Sequence, residues 1–126
     1  PLGCVVALRI MEVIEREQLA DNARALGDWL KGELQRLANT YPHVVKSARG
    51  LGLMLGFELA GKDSIPAFAG VDKTASIQFV NRLHDAGVLT IPSGAQIVRL
   101  LPALNLTFQH AEEGVSVIEN VVKSLA

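Results

Sequence analysis

A long amphipathic helix places the strongest constraint on how this chain folds. Between positions 19 and 41, apolar side chains recur every three or four residues, the spacing that lines one face of a helix. They are Leu19, Ala23, Leu26, Leu30, Leu34, Leu37 and Tyr41. The helix has about 22 residues, a length of about 33 Å, and it ends before Pro42. Such a stripe is more often core than a dimer zipper, so we expect it to lie in the core.

The segment that follows has the period of a β-strand. Over positions 50–59, bulky apolar residues alternate with Gly50, Gly52, Met54, Gly56 and Glu58. The bulky face consists of Leu51, Leu53, Leu55, Phe57 and Leu59. Three glycines, Gly50, Gly52 and Gly56, lie on the other face. Glycines at such positions indicate that another backbone or a ligand approaches closely.

The second half alternates helical and extended patterns. A third helix is predicted over residues 73–86, with Asp72 as N-cap and a Schellman ending at Gly87-Val88. Its buried side consists of Ile77, Val80 and Leu83. Two short strands are predicted over residues 88–91 and 97–101, joined as a hairpin.

A last helix begins near Thr107, which can cap it. Its apolar stripe consists of Ala111, Val115, Ile118, Val122 and Leu125. Residues 61–72 are rich in Gly, Pro, Ser and Asp and predict an exposed loop. The order ααββαββα, without strict βαβ alternation, predicts an α+β two-layer fold, in which a small, largely antiparallel sheet has helices packed on one face.

The first helix, over residues 2–17, is apolar around most of its circumference. Its polar stripe consists of Arg9, Glu12, Glu15 and Arg16. The remaining arc is about 240° wide, whereas a surface helix needs about 100°. Hydrophobic residues make up 49% of the chain and mean hydropathy is +0.28. We therefore expect a covering surface that these 126 residues do not supply.

Composition excludes several classes of protein. The net charge of -1 argues against nucleic-acid binding, and no apolar run is long enough for a membrane span. The one cysteine, Cys4, excludes an internal disulfide. It predicts a small buried hydrophobe in a reducing compartment, the cytoplasm.

Arg99 is the most informative candidate for chemistry. It interrupts the apolar run Ile97 to Pro102, and arginine is rarely buried without a partner. Its planar fork suits bidentate capture of a carboxylate. The competing interpretation, slightly favoured by local sequence, is a solvent-facing position on an edge strand.

Other candidates are weaker. Arg49 precedes Gly-x-Gly, but Leu55 stands where a dinucleotide loop needs glycine, so Arg49 is expected on the surface. The scattered His43, His84 and His110 do not predict a metal site. Ser93 lies outside any hydrolase motif. The pair Glu112-Glu113 is expected to support a helix dipole.

Three segments, in order, are similar to one enzyme family. The first segment holds Pro1-Leu2-Gly3-Cys4, Ala7-Leu8 and Glu12-Val13-Ile14-Glu15, and it resembles the helix after the Gly-Gly-Asn-Pro turn of class III (ornithine/acetylornithine-type) aminotransferases. The second is residues 45–58, with Arg49-Gly50-Leu51-Gly52-Leu53-Met54, and it resembles the strand pair that opens their C-terminal domain. The third holds Gly87-Val88-Leu89-Thr90 and residues 98–104, and it resembles their substrate-arginine strand. These aminotransferases are pyridoxal-phosphate enzymes of fold type I.

The resemblance implies transfer of an amino group between an ornithine- or acetylornithine-like donor and a 2-oxo acid by a homodimeric enzyme. It implies that residues 1–17 are a connecting helix from the cofactor domain and residues 18–126 the C-terminal small domain. Arg99 matches the arginine that holds the substrate carboxylate. Ala103 departs from the family, in which many members have a second proline there.

The resemblance also implies that pyridoxal phosphate is bound by residues before position 1. No catalytic, cofactor-binding or metal-binding residue is then assigned in this chain. Its lysines match no family position and are expected on the surface: Lys31, Lys46, Lys62, Lys73 and Lys123. On this basis we expect a C-terminal segment that is inactive alone.

Two alternatives remain open from the residues themselves. One is a stand-alone α/β module that binds a small carboxylate ligand through Arg99. The other is an association domain that uses the wide apolar face of the first helix.

Overall fold

The computed structural model describes residues Pro1–Ala126. Its main elements are α1 (Leu2–Arg16), α2 (Leu19–Thr40), β1 (Val45–Leu51), β2 (Met54–Leu59), α3 (Ala75–Asp85), β3 (Ile91–Ser93), β4 (Ile97–Leu100) and α4 (Phe108–Lys123). A short 3₁₀ helix, Lys62–Ser64, follows β2. The order ααββαββα is confirmed.

The four strands form one antiparallel sheet in the order β1-β2-β4-β3. One face of the sheet packs against the core, where Leu55, Phe57 and Leu59 from β2 and Val98 from β4 are fully buried. Helix α2 packs on β1 and β2, and α3 packs on β3 and β4. The α+β two-layer fold, with helices on one face of a small antiparallel sheet, is confirmed.

The strand pattern over positions 50–59 is interrupted by a turn, because these positions hold the end of β1 and all of β2, the two strands of the predicted order. Leu51 pairs with Met54, so Gly52 and Leu53 form the turn. Because the alternation of leucines continues through this turn, the sequence pattern does not reveal it. Leu51 is 84% exposed, so the predicted bulky face is wrong at that position, whereas Leu55, Phe57 and Leu59 are buried as expected.

Helix α2 agrees with the prediction in its bounds and its buried stripe. Leu26, Leu30, Leu34 and Leu37 are buried against the sheet and α4. The close approach that the glycines predicted occurs at Gly52, whose φ is +52° and whose backbone touches Gly27 of α2. Gly27 was not predicted as the partner from the sequence.

Helix α3 begins two residues later than predicted. Thr74, not Asp72, is its N-cap, because the Thr74 side chain accepts a hydrogen bond from the Ile77 backbone N–H. Val80 and Leu83 are buried as expected. Ile77 is 38% exposed, and Phe79 fills the core instead.

The predicted Schellman ending of α3 is confirmed. Gly87 has a φ of +92° and donates to the His84 carbonyl, and the Val88 N–H donates to the Leu83 carbonyl. The Thr90 N–H donates to the His84 ring. The N–H groups of Val88 and Thr90 are therefore bonded to α3 and to the His84 side chain. For this reason β3 begins at Ile91 and not at position 88.

The segment 61–72 is a largely exposed loop, as its composition predicts, but it also contributes two side chains to the core. Ile65 and Phe68 are fully buried, and the Gln78 side chain donates to the Phe68 and Lys73 carbonyls. The Arg82 guanidinium lies 5.4 Å from the centre of the Phe68 ring. Two apolar side chains therefore anchor a polar segment to α3.

Helix α4 begins after Thr107, which accepts from the His110 N–H as predicted. The predicted stripe is buried: Ala111, Val115, Ile118, Val122 and Leu125. Glu112 and Glu113 were expected to support the N-terminal dipole. That expectation is wrong, because the first turn holds no acidic residue and the dipole acts mainly within that turn.

Helix α1 has no buried residue, although it is strongly apolar. Leu2 is 79% exposed and Leu8 64% exposed. Cys4 is also exposed, so the prediction that it is buried is wrong within these 126 residues. None of the helices combines the length and apolar character required to cross a bilayer.

An ion network joins α2 to α4. Glu119 accepts from Arg36 at 2.8 Å and lies 2.9 Å from Lys123, and Arg36 also binds Glu33 at 2.8 Å. Hydrogen bonds from Arg36 and then Lys123 lower the pKa of Glu119 to about 2. The hydrogen bond with Glu119 raises the pKa of Lys123.

We expect Glu119→Gln to lower the free energy of unfolding of the 126-residue chain by about 1 kcal/mol at pH 7. The folded pKa of Glu119 lies below its ordinary value of 4.5, so the stabilisation is present above that value and is lost as pH falls towards 2. Urea unfolding at pH 7 and pH 2 measures the difference. Glu112→Gln, on the same helix and outside every ion pair, is the control. An equal loss at both pH values contradicts the prediction.

Candidate functional site

The face of the sheet opposite the helices is uncovered, and we call it the open face. Strand pairing places the following residues on it: Ser47, Arg49, Leu51, Met54, Gly56, Glu58, Ile91, Ser93, Ile97 and Arg99. Leu51, Met54 and Ile91 are exposed by 84%, 65% and 53%. The open face therefore combines apolar side chains with a few charged ones.

Arg99 stands in the middle of this face. Its strand, β4, is an inner strand, so the expected alternative of an edge position is wrong, although the side chain is exposed. Arg99 pairs with Gly56 on one side and Ile91 on the other. Gly56 carries no side chain, and the atoms nearest to the position of a Cβ there belong to Ile97 and Arg49.

Arg99 has no carboxylate partner. It takes part in none of the eight ion pairs of the structure. Its one side-chain hydrogen bond runs from Nη2 to Ser93 Oγ, at 3.3 Å. Most of its donor fork remains available, and a guanidinium in this state can bind a carboxylate bidentately.

The environment of Arg99 was not predicted from the sequence. Arg49 lies across Gly56 in the same row, and its Nη1 is 3.9 Å from Glu58 Oε2. Ser47 Oγ donates to the same Glu58 oxygen at 2.8 Å. The period of two in β2 is enough to place Glu58 on the same face as Gly56. The neighbours of Glu58 on β1 and β4, however, follow only from the register of strand pairing.

The remaining candidates do not assemble into a site. The histidines lie apart, and no group of three or more His, Cys, Asp or Glu side chains comes together as metal ligands. Ser93 contacts Arg99, and Glu113 accepts from Gln109 at 3.1 Å. None of the five lysines is buried.

Two clefts lie away from Arg99. One, of about 540 Å³, is at the start of α3, where Lys62, Lys73 and Thr74 line it. The other, of about 280 Å³, is a largely apolar groove between α2, α4 and the segments that flank β3 and β4. Neither contains a pair of groups arranged for catalysis, so the open face is the candidate site.

Comparisons with known proteins agree with this fold. The crystal structure of acetylornithine aminotransferase from Elizabethkingia anophelis superposes with a TM-score of 0.85 at 26% identity, over 98% of this chain and 29% of that one. Lysine aminotransferase from M. tuberculosis superposes with a TM-score of 0.81 at 29% identity, over 97% of this chain and 26% of that one. These neighbours are fold-type I enzymes, as the resemblance implied.

Sequence relatives give the same family. Acetylornithine aminotransferase from Gloeobacter violaceus is 34% identical over 125 residues, which are 99% of this chain and 28% of that protein. Mitochondrial ornithine aminotransferase from Rattus norvegicus is 32% identical over 124 residues. The family model for class-III aminotransferases matches residues 1–122. The chain belongs to the class III aminotransferase family, and it spans little more than a quarter of the length of these relatives.

Proposed function

We propose that the chain is the C-terminal part of a pyridoxal-phosphate aminotransferase, in which Arg99 binds the substrate carboxylate. The reaction transfers an amino group from an ornithine- or acetylornithine-like donor to a 2-oxo acid. The observation that carries this proposal is an arginine with no acidic partner at the centre of the open face. The relatives supply the substrate classes, since acetylornithine and ornithine stand in their names.

The residues present here do not make a site for pyridoxal phosphate. A Schiff-base lysine is normally held inside an active site, and all five lysines of this chain lie outside its core. In the proposed enzyme the cofactor supplies the electron sink and is held by the rest of the polypeptide. This chain contributes orientation, because a carboxylate fixed on Arg99 limits how the substrate can lie.

The division of the polypeptide is part of the proposal. Residues 1–17 connect the cofactor domain to the small domain, residues 18–126, and the exposed apolar arc of α1 supports a covering neighbour. We propose a homodimeric enzyme located in the cytoplasm, where a single unpaired cysteine is usual. The alternatives are a stand-alone carboxylate-binding module and an association domain.

A cofactor titration separates these possibilities. We expect the 126-residue chain to show no stoichiometric absorbance band with pyridoxal phosphate and no amino transfer. The longer polypeptide that contains it is expected to show both, with ornithine or acetylornithine as donor. A stoichiometric band with the chain alone, or a longer polypeptide without transfer, contradicts the proposal.

A further inference from the structure

Glu58 is the only acidic side chain on the open face, and it lies between two arginines. Strand pairing sets Glu58 opposite Ser47 on β1 and opposite Ile97 on β4. Arg49 and Arg99 are its diagonal neighbours, one on each side. Diagonal neighbours in a sheet lie within reach of long side chains. The carboxylate of Glu58 could therefore pair with either arginine.

The structure shows Glu58 turned towards β1. Its Oε2 atom accepts from Ser47 Oγ at 2.8 Å and lies 3.9 Å from Arg49 Nη1. The stem of Arg49 crosses the row at Gly56, with its Cγ 3.8 Å from the position that a Gly56 Cβ would take. On the β4 side Glu58 faces the apolar side chain of Ile97.

A carboxylate on the same face is an internal competitor for any substrate carboxylate. If Glu58 paired with Arg99, it would occupy the fork that the substrate needs, because both ligands use the same donors. We infer that Ser47 and Arg49 are positioning residues, which hold Glu58 on the β1 side and so keep Arg99 free for the substrate. This inference rests on the proposed function.

The test uses the complete enzyme and its kinetic constants for the amino donor and the 2-oxo acid. Arg49→Met is expected to raise both KM values about three- to fivefold, with kcat changed less than about twofold. Ser47→Ala removes the hydrogen bond without changing charge and is expected to raise KM about two- to threefold. Adding Glu58→Gln to either variant restores KM, because the competing charge is then absent.

The matched control is Arg24→Met, which removes another exposed arginine in an ion pair, with Asp21 at 3.1 Å. It is expected to leave KM unchanged. Persistence of the Arg49→Met defect in the double variant overturns the inference, since Arg49 then acts on the substrate directly or through its charge alone. A silent Ser47→Ala variant also overturns it.

Arg99→Ala, measured in parallel, distinguishes a failure of the inference about Glu58 from a failure of the proposed role of Arg99. If Arg99→Ala raises KM and the Ser47 and Arg49 variants do not, the inference about Glu58 fails and the proposed role of Arg99 stands. If Arg99→Ala leaves KM unchanged, the proposed role of Arg99 fails, and the inference built on it fails too.

Discussion

Arg99→Ala is expected to weaken substrate binding in the complete enzyme by about 2–4 kcal/mol, the scale for losing one partner of a desolvated charge pair. This corresponds to a rise of about 30- to 700-fold in the dissociation constant. The amino donor and the 2-oxo acid should be affected alike, because the carboxylate is the group that they share. Steady-state kinetics with each substrate varied in turn measures the effect.

Two variants sharpen this result. Arg99→Lys keeps the charge but loses the planar fork, so it should recover only part of the affinity. Arg24→Ala removes an exposed arginine far from the open face and serves as the control. Unchanged constants for both substrates in Arg99→Ala would show that the carboxylate is bound elsewhere.

Gly27→Ala is expected to destabilise the 126-residue chain by about 1–3 kcal/mol, the usual cost of overpacking. A Cβ at Gly27 would lie 2.5 Å from Gly52 Cα and closer still to the Gly52 carbonyl. Both groups are backbone, so neither can move without shifting α2 or the hairpin turn. The gain in helix propensity, up to about 1 kcal/mol, offsets only part of this cost.

Gly32 provides the matched control in the same helix. It is exposed, and a Cβ there would meet nothing within 4 Å. Gly32→Ala should therefore raise the free energy of unfolding by about 0.5–1 kcal/mol. Denaturant unfolding of both variants measures the contrast, and the same sign of change in both would contradict the packing described for Gly27.

The helices were predictable because their signals are local. The spacing of apolar residues in α2 and α4 follows the helical repeat. Thr107 begins α4 and Gly87 ends α3 through hydrogen bonds with residues at most four positions away. The turn of the β1–β2 hairpin could not be located from its pattern, because leucine alternation continues through Gly52 and Leu53. Burial of Phe68 depends on contacts with α3, which lies outside its local sequence.

The candidate site was predictable in part for the same reason. Arg99 is conspicuous as a charge in an apolar run, so its chemistry could be recognised from its neighbours in sequence. Its position on an inner strand and its separation from Glu58 depend on pairing between β1, β2 and β4. Cys4 was predicted to be buried from general preference, but its helix has no covering partner within these residues.

The central claim is that the open face presents Arg99 to a substrate carboxylate. The most direct measurement is a crystal structure of the complete enzyme with an unreactive carboxylate analogue of the substrate. We predict two hydrogen bonds from the Arg99 guanidinium to the carboxylate, at about 2.7–2.9 Å, with Glu58 still bound to Ser47. A carboxylate bound by other residues, with Arg99 pointing into solvent, would contradict the account.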